Sequence, residues 1–125
     1  MTSSFIQHVG QVGIPVKNIG RATQFYKEIL QLPLLFQTDT MAFFQLNDLR
    51  LMLALPEKEE FAHPSSVLYF NVENIQDVFD QLKYVVSFVS TPHVVTKIGQ
   101  TETWMVFFKD TEDNTHAFMS ERTVS

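Results

Sequence analysis

Apolar positions change their spacing along the chain in a repeating order. From 5 to 16 they are dense and β-branched, interrupted by Gln7, His8, Gly10, Gln11, Gly13 and Pro15, which predicts a strand with one polar side. Ile19, Ala22, Phe25, Tyr26, Ile29 and Leu30 then fall at helical intervals, behind Asn18 as an N-cap and ahead of Pro33 as a stop. Short strand-like runs follow at 34–38, 41–46 and 49–55, separated by the turn pairs Asp39-Thr40 and Asn47-Asp48. The first half therefore reads β-α-β-β-β.

A charged connector beginning Pro56-Glu57-Lys58-Glu59-Glu60 separates this half from a second one of the same order. There, 67–72 reads as a strand, Asn74 caps a helix bearing Ile75, Val78, Phe79 and Leu82, and strands are predicted at 85–95, 103–109 and 115–120. Residues repeat along with the elements. Val16-Lys17-Asn18-Ile19 returns as Val72-Glu73-Asn74-Ile75 at an offset of 56, Met41-Ala42-Phe43-Phe44 returns as Met105-Val106-Phe107-Phe108 at 64, and the last strands align at 66. Taken in order, these favour an internal duplication: one domain over 1–125, with a first module at about 5–55, a connector at 56–66 and a second module at about 67–121.

Composition narrows the chemistry. The chain has 125 residues, 45% of them hydrophobic, enough for a core that needs no disulfide or structural metal. With no cysteine, thiolate zinc sites, redox pairs and thiol nucleophiles are excluded. A formal charge of -5 without a basic patch argues against nucleic acid as a partner. No leader is readable at Met1-Thr2-Ser3-Ser4 and no apolar run is long enough to span a bilayer, so the expectation is a cytoplasmic protein without a membrane partner. Phosphate loops, Gly-x-Ser-x-Gly elbows and His-Glu-x-x-His helices are all missing from the sequence.

Ala22-Thr23-Gln24-Phe25-Tyr26, followed by Leu30-Gln31-Leu32, resembles the first-helix signature of the vicinal oxygen chelate superfamily, which includes glyoxalase I, extradiol dioxygenases and the fosfomycin and bleomycin resistance proteins. Asp110-Thr111-Glu112-Asp113-Asn114 resembles that family's DPDGN turn, with Thr111 for proline and Asp113 for glycine, and Gln31 stands where glycine is usual. The resemblance covers nearly the whole chain. It implies an α+β, glyoxalase-like fold: two βαβββ modules forming a curled mixed sheet around a cavity, with the helices outside.

The resemblance also implies four metal-ligand positions, on the first and last strand of each module, where a metal acts as a Lewis acid on two adjacent substrate oxygens. Matching places them at Gln11, Leu51, Val67 and Ala117, related in pairs by the offsets of 56 and 66. Only Gln11 carries a donor, so the family metal is expected to be lost and no cofactor is expected. Strand alternation adds Gly13, Pro15, Leu49, Leu53, Tyr69, Asn71, Thr115 and Met119 to the same cavity faces.

Among other polar residues, His93 is a candidate ligand contact or base at the cavity edge, and Glu102 beside Trp104 offers charge and stacking to a ligand. His63 reads as a surface residue of the connector, and His8 and His116 as strand-end or outer-face residues. Arg50, opening a strand after the Asn47-Asp48 turn, could hold a carboxylate, but a surface pair with an acidic neighbour is the preferred reading. The expectation is a protein of glyoxalase or bleomycin-resistance type that binds a small organic molecule in a largely apolar cavity, as a homodimer. The alternative is a lyase or isomerase of the same superfamily using a non-standard metal site, or using His93, Glu102 or Tyr69 as acid or base. A third reading is a vestigial cavity with a role in an oligomeric interface.

Overall fold

The computed structural model describes residues 5–57, 59 and 63–124. Residues 1–4, Lys58 and Glu60 of the charged connector, Phe61 and Ala62 beside His63, and Ser125 lie outside the described residues. The chain forms two compact units, Met1–Pro64 and Ser65–Ser125. The first is a βαβββ module and the second carries one strand more, βαββββ; the chain is α+β as the sequence pattern predicts, but its strands form two separate sheets instead of the one curled mixed sheet expected.

In the first unit, β1 (Gln11–Pro15) leads to α1 (Ile19–Gln24), whose N-cap Asn18 accepts a hydrogen bond from the Arg21 N–H. The helix continues as a π-helical turn over Phe25–Ile29, followed by β2 (Leu34–Gln37), β3 (Met41–Leu46) and β4 (Leu49–Ala54). Strand order is β1-β4-β3-β2, with β1 parallel to β4 and the other pairs antiparallel. Ile14, Val16, Ala42, Phe44, Leu51 and Leu53 are buried with Ala22, Phe25 and Tyr26 of the helix, and Tyr26 meets Phe44 at a centroid distance of 6.1 Å. Each such buried Leu or Phe contributes about 1.5–3 kcal/mol. That defines a helix-packed face of the sheet and an opposite face.

β1 is shorter than the run at 5–16. Its partner β4 begins at Leu49, after the Asn47-Asp48 reversal, so the ladder ends where the Arg50 N–H donates to the Gly10 carbonyl. Phe5, Ile6 and Val9 consequently lie outside the strand and are exposed.

The second unit comprises β5 (Tyr69–Asn71), α2 (Ile75–Leu82), β6 (Ser87–Phe88), β7 (His93–Ile98), β8 (Thr101–Lys109) and β9 (Thr115–Thr123). β5 runs parallel to β9, β9 pairs with β8, and β6 and β7 both pair with β8. The single strand predicted at 85–95 is therefore two strands. Pro92 has no N–H to give the ladder, and the Phe107 N–H donates to Ser90 Oγ at 3.1 Å instead of to backbone. Phe70, Phe88, Phe108 and Phe118 pack on the helix side, with Phe79 of α2 against Phe88 at 4.8 Å. No helix among the described residues is long and apolar enough to cross a membrane.

Candidate functional site

Strand alternation sorts every candidate onto one face or the other. In the first unit Gln11 stands opposite Arg50, Gly13 opposite Met52 and Pro15 opposite Ala54. On β3, Gln45, Phe43 and Met41 complete these three rows. The face away from the helix thus has a polar row of Gln11, Arg50 and Gln45, then a middle row of Gly13, Met52 and Phe43, then a row of Pro15, Ala54 and Met41. Gln11 Nε2 donates to Met52 Sδ at 3.6 Å, which confirms that the two share this face.

Leu51 does not share it. It stands opposite Val12 and Phe44, is 0% exposed, and belongs to the helix-packed core together with Leu53; Leu49, two residues earlier, has the same parity. The sequence placement is one residue out of register in β4. Gly13 pairs with Met52 as Tyr69 pairs with Ala117, so the first strands repeat at 56 and the last strands at 65 rather than 66. The extra residue lies in the turns: two residues separate the paired Leu46 and Leu49, whereas three separate Asp110 and Asn114, which are joined by the Asp110 N–H to the Asn114 carbonyl. Met52, not Leu51, is the counterpart of Ala117.

In the second unit Ala117 stands between Tyr69 and Phe107, whose rings approach edge to face at 6.4 Å, and is fully buried. Met119 stands opposite Met105, and so does His93 on the far side of β8, with its ring 6.4 Å from that of Phe107. Tyr69, Ala117, Met119 and His93 are therefore on one face. Val67 lies two residues ahead of Tyr69, outside β5, and is 39% exposed. The His93 Nδ1–H donates to the Thr91 carbonyl at 2.7 Å, which leaves Nε2 as an acceptor.

Glu102 and Trp104 are on the other side of β8, in the parity of Val106 and Phe108. Their expected place on the cavity face is not the observed one, because β8 extends to Thr101 and fixes their alternation. The Trp104 Nε1–H donates to Glu102 Oε1 at 3.2 Å, and the Arg122 guanidinium lies 4.9 Å from the Trp104 ring, so these groups satisfy one another. His116, expected at a strand end or outer face, is instead fully buried. Its Nδ1 accepts from the Leu68 N–H at 3.2 Å, and its Nε2 faces Asp110 Oδ2 at 3.6 Å.

A cavity of about 620 Å³ lies on the first unit's face away from the helix. Gly13, Pro15, Met41, Met52 and Ala54 line it from the sheet, and Thr40, Leu55, Pro56, Glu57 and His63 from the turn and connector. A Cβ at Gly13 would touch Met52 Cε at 3.5 Å, so glycine keeps the space beside that methyl open. Glu57 and His63 are the ionisable lining groups among the described residues. The His63 Nδ1–H donates to the Pro64 carbonyl at 2.9 Å, again leaving Nε2 as an acceptor. The sequence predicts His63 as a surface residue of the connector and gives Glu57 no role in a site. Nothing in a charged connector signals that it folds back along a sheet.

Arg50 departs from its expected surface pair. Among the described residues its side chain makes no ion pair or hydrogen bond, and its guanidinium lies 5.6 Å from the centroid of Phe43, which stacks on Phe36 at 4.6 Å. Nor do the described residues include any group of three His, Asp or Glu side chains disposed to hold a metal ion.

Several solved structures share this fold. A glyoxalase/bleomycin resistance protein/dioxygenase superfamily member from Sphaerobacter thermophilus matches with a TM-score of 0.77 at 16% identity, over 94% of this chain and 99% of that one. An integron cassette protein from the mobile metagenome of V. cholerae gives 0.76 at 17% identity, over 95% and 98%. A lactoylglutathione lyase from Agrobacterium tumefaciens gives 0.73 at 12% identity, over 92% and 94%. At such identities the likeness establishes fold alone. The family model described as Glyoxalase/Bleomycin resistance protein/Dioxygenase superfamily matches residues 6–118, and with nearly the whole chain accounted for, this protein belongs to that superfamily.

Proposed function

We propose that this protein binds a small organic molecule on the face of its first module away from the helix, without the metal ion of its metal-dependent relatives. The observation that carries the reading is the cavity of about 620 Å³, within the size range of small-molecule sites and lined mainly by apolar groups with a few polar ones at the rim. Two methionines on its sheet side, Met41 and Met52, supply an adaptable surface that accommodates varied ligand shapes.

The donor set argues against the metal. With the register corrected, the family's positions fall on Gln11 and Met52 in the first unit and on Val67 and Ala117 in the second. These provide one amide oxygen, one thioether sulfur and two hydrocarbon side chains. A divalent cation that prefers oxygen or imidazole ligands would lose hydration there without replacement. A lyase or isomerase reading has less support, since Glu102, one of its three acid–base groups, is on the opposite face of β8 and bonded to Trp104.

A thermal-shift screen of small neutral and charged organic compounds, followed by calorimetry, tests the reading. Hits should lose at least about tenfold in affinity in Ala54→Trp, which fills the cavity from the sheet, while that variant stays folded. Hits that bind Ala54→Trp as tightly as the parent would place the binding site elsewhere and overturn the reading.

A further inference from the structure

Arg50 is a cation with no partner among the described residues, in a chain whose formal charge is -5. Its guanidinium is held against Phe43, and Phe43 is backed by Phe36 through the 4.6 Å stack. With the guanidinium 5.6 Å from the Phe43 centroid and no acceptor bound to it among the described residues, its N–H fork is available, and that fork matches the two oxygens of a carboxylate. Directly across the parallel ladder stands Gln11, whose only described side-chain bond is the weak one to the Met52 thioether. Its amide thus has donor capacity left. Gln45, the third member of the row, has committed its Nε2 to the Asn47 and Leu49 carbonyls. Two of the three polar residues in the row therefore have hydrogen-bond donors to offer, and the next row along the sheet is Met52 and Gly13, which line the cavity.

We infer that Arg50 and Gln11 form the carboxylate-recognition end of this cavity, and that its ligand is a small apolar carboxylate whose hydrocarbon body lies over Met52. The inference rests on the binding reading above and adds the ligand's charge and polarity. Dimensions are consistent with it. From Arg50 to Ala54 the strand advances about 13 Å, room for a fused two-ring body between the guanidinium and the Glu57 end, and Glu57 disfavours a second negative charge there.

The test uses 2-naphthoate and its neutral counterpart 2-naphthamide as calorimetric probes of the parent, Arg50→Met and Gln11→Leu. The naphthoate should bind the parent more tightly than the amide does. Arg50→Met should weaken naphthoate binding by about tenfold or more, with a smaller loss in Gln11→Leu, while the amide binds all three proteins alike. Unchanged melting temperatures in both variants, expected at exposed positions, make the losses attributable to recognition. If both probes bind and Arg50→Met leaves the naphthoate unaffected, the carboxylate assignment is wrong and the cavity reading survives. If neither probe binds the parent, the apolar-carboxylate assignment is wrong, and the cavity reading is decided separately by the compound screen and Ala54→Trp.

Discussion

Gln31, Asn47 and Asp113 have positive φ values of 58°, 55° and 62°. Two of them, Gln31 and Asp113, stand where the family pattern has glycine, so the chain keeps left-handed turns without the residue that adopts them freely. Asn and Asp tolerate this region; Gln does so at greater cost. Gln31 follows the π-helical turn, where the Leu30 N–H donates to the Phe25 carbonyl and the Leu32 N–H to the Tyr26 carbonyl, each reaching one residue further back than in an α-helical end. Gln31→Gly should raise stability by about 0.5–1 kcal/mol, read as a higher midpoint in urea denaturation at unchanged slope. A fall in the midpoint would mean that the Gln31 side chain offsets its backbone strain. Thr23 is a second residue at odds with its surroundings, 3% exposed with a buried hydroxyl that lacks a hydrogen-bond partner among the described residues. Thr23→Val keeps the branched shape and removes the hydroxyl, so a gain of about 1 kcal/mol is expected in the same assay, and a loss would reveal a partner for the hydroxyl.

At the scale of elements, the turn between β8 and β9 organises the start of β5. Asp110 Oδ1 accepts from the Glu112 and Asn114 N–H groups at 2.8 and 2.9 Å, and Asp110 Oδ2 accepts from Asn114 Nδ2 at 3.1 Å. Asn114 Oδ1 in turn accepts from the Ser65 N–H, and His116 from the Leu68 N–H, so one buried polar cluster secures the chain leading into β5. Asp110→Ala leaves those donors unpaired and should cost about 2–4 kcal/mol, measured by chemical denaturation. A change below about 0.5 kcal/mol would show that the cluster does not hold the turn. Both N-caps and the succession of strand, helix and strands in each half were readable from spacing because each rests on local periodicity and capping, whereas the break that splits 85–95 into β6 and β7 was not. Nor was the face of β4. It depends on how many residues a turn contains, and a single residue exchanged Leu51 for Met52 and turned the whole strand over. Glu102 and Trp104 were misplaced for a related reason: their face is set by a hairpin that runs on to Thr101 and Thr123, beyond the apolar run that marks the strands in sequence.

At the scale of the whole molecule, the proposed absence of a metal rests on assigning its ligand positions to Gln11, Met52, Val67 and Ala117. Purified protein incubated with zinc, nickel or manganese and then desalted should retain far less than one metal per chain by elemental analysis. Stoichiometric retention would contradict the proposed loss. The sequence pattern expects an apolar cavity but not its connector side, because His63 and Glu57 reach it through the connector's path rather than through strand alternation. The account as a whole depends on that cavity being a binding site. Methionine-methyl NMR tests this most directly, since Met41 and Met52 line it whereas Met105 and Met119 belong to the second unit. Titrating the screening hits into methyl-labelled protein should shift the Met41 and Met52 resonances saturably, with the dissociation constant found by calorimetry; hits that bind while both of these resonances stay in place would contradict the account.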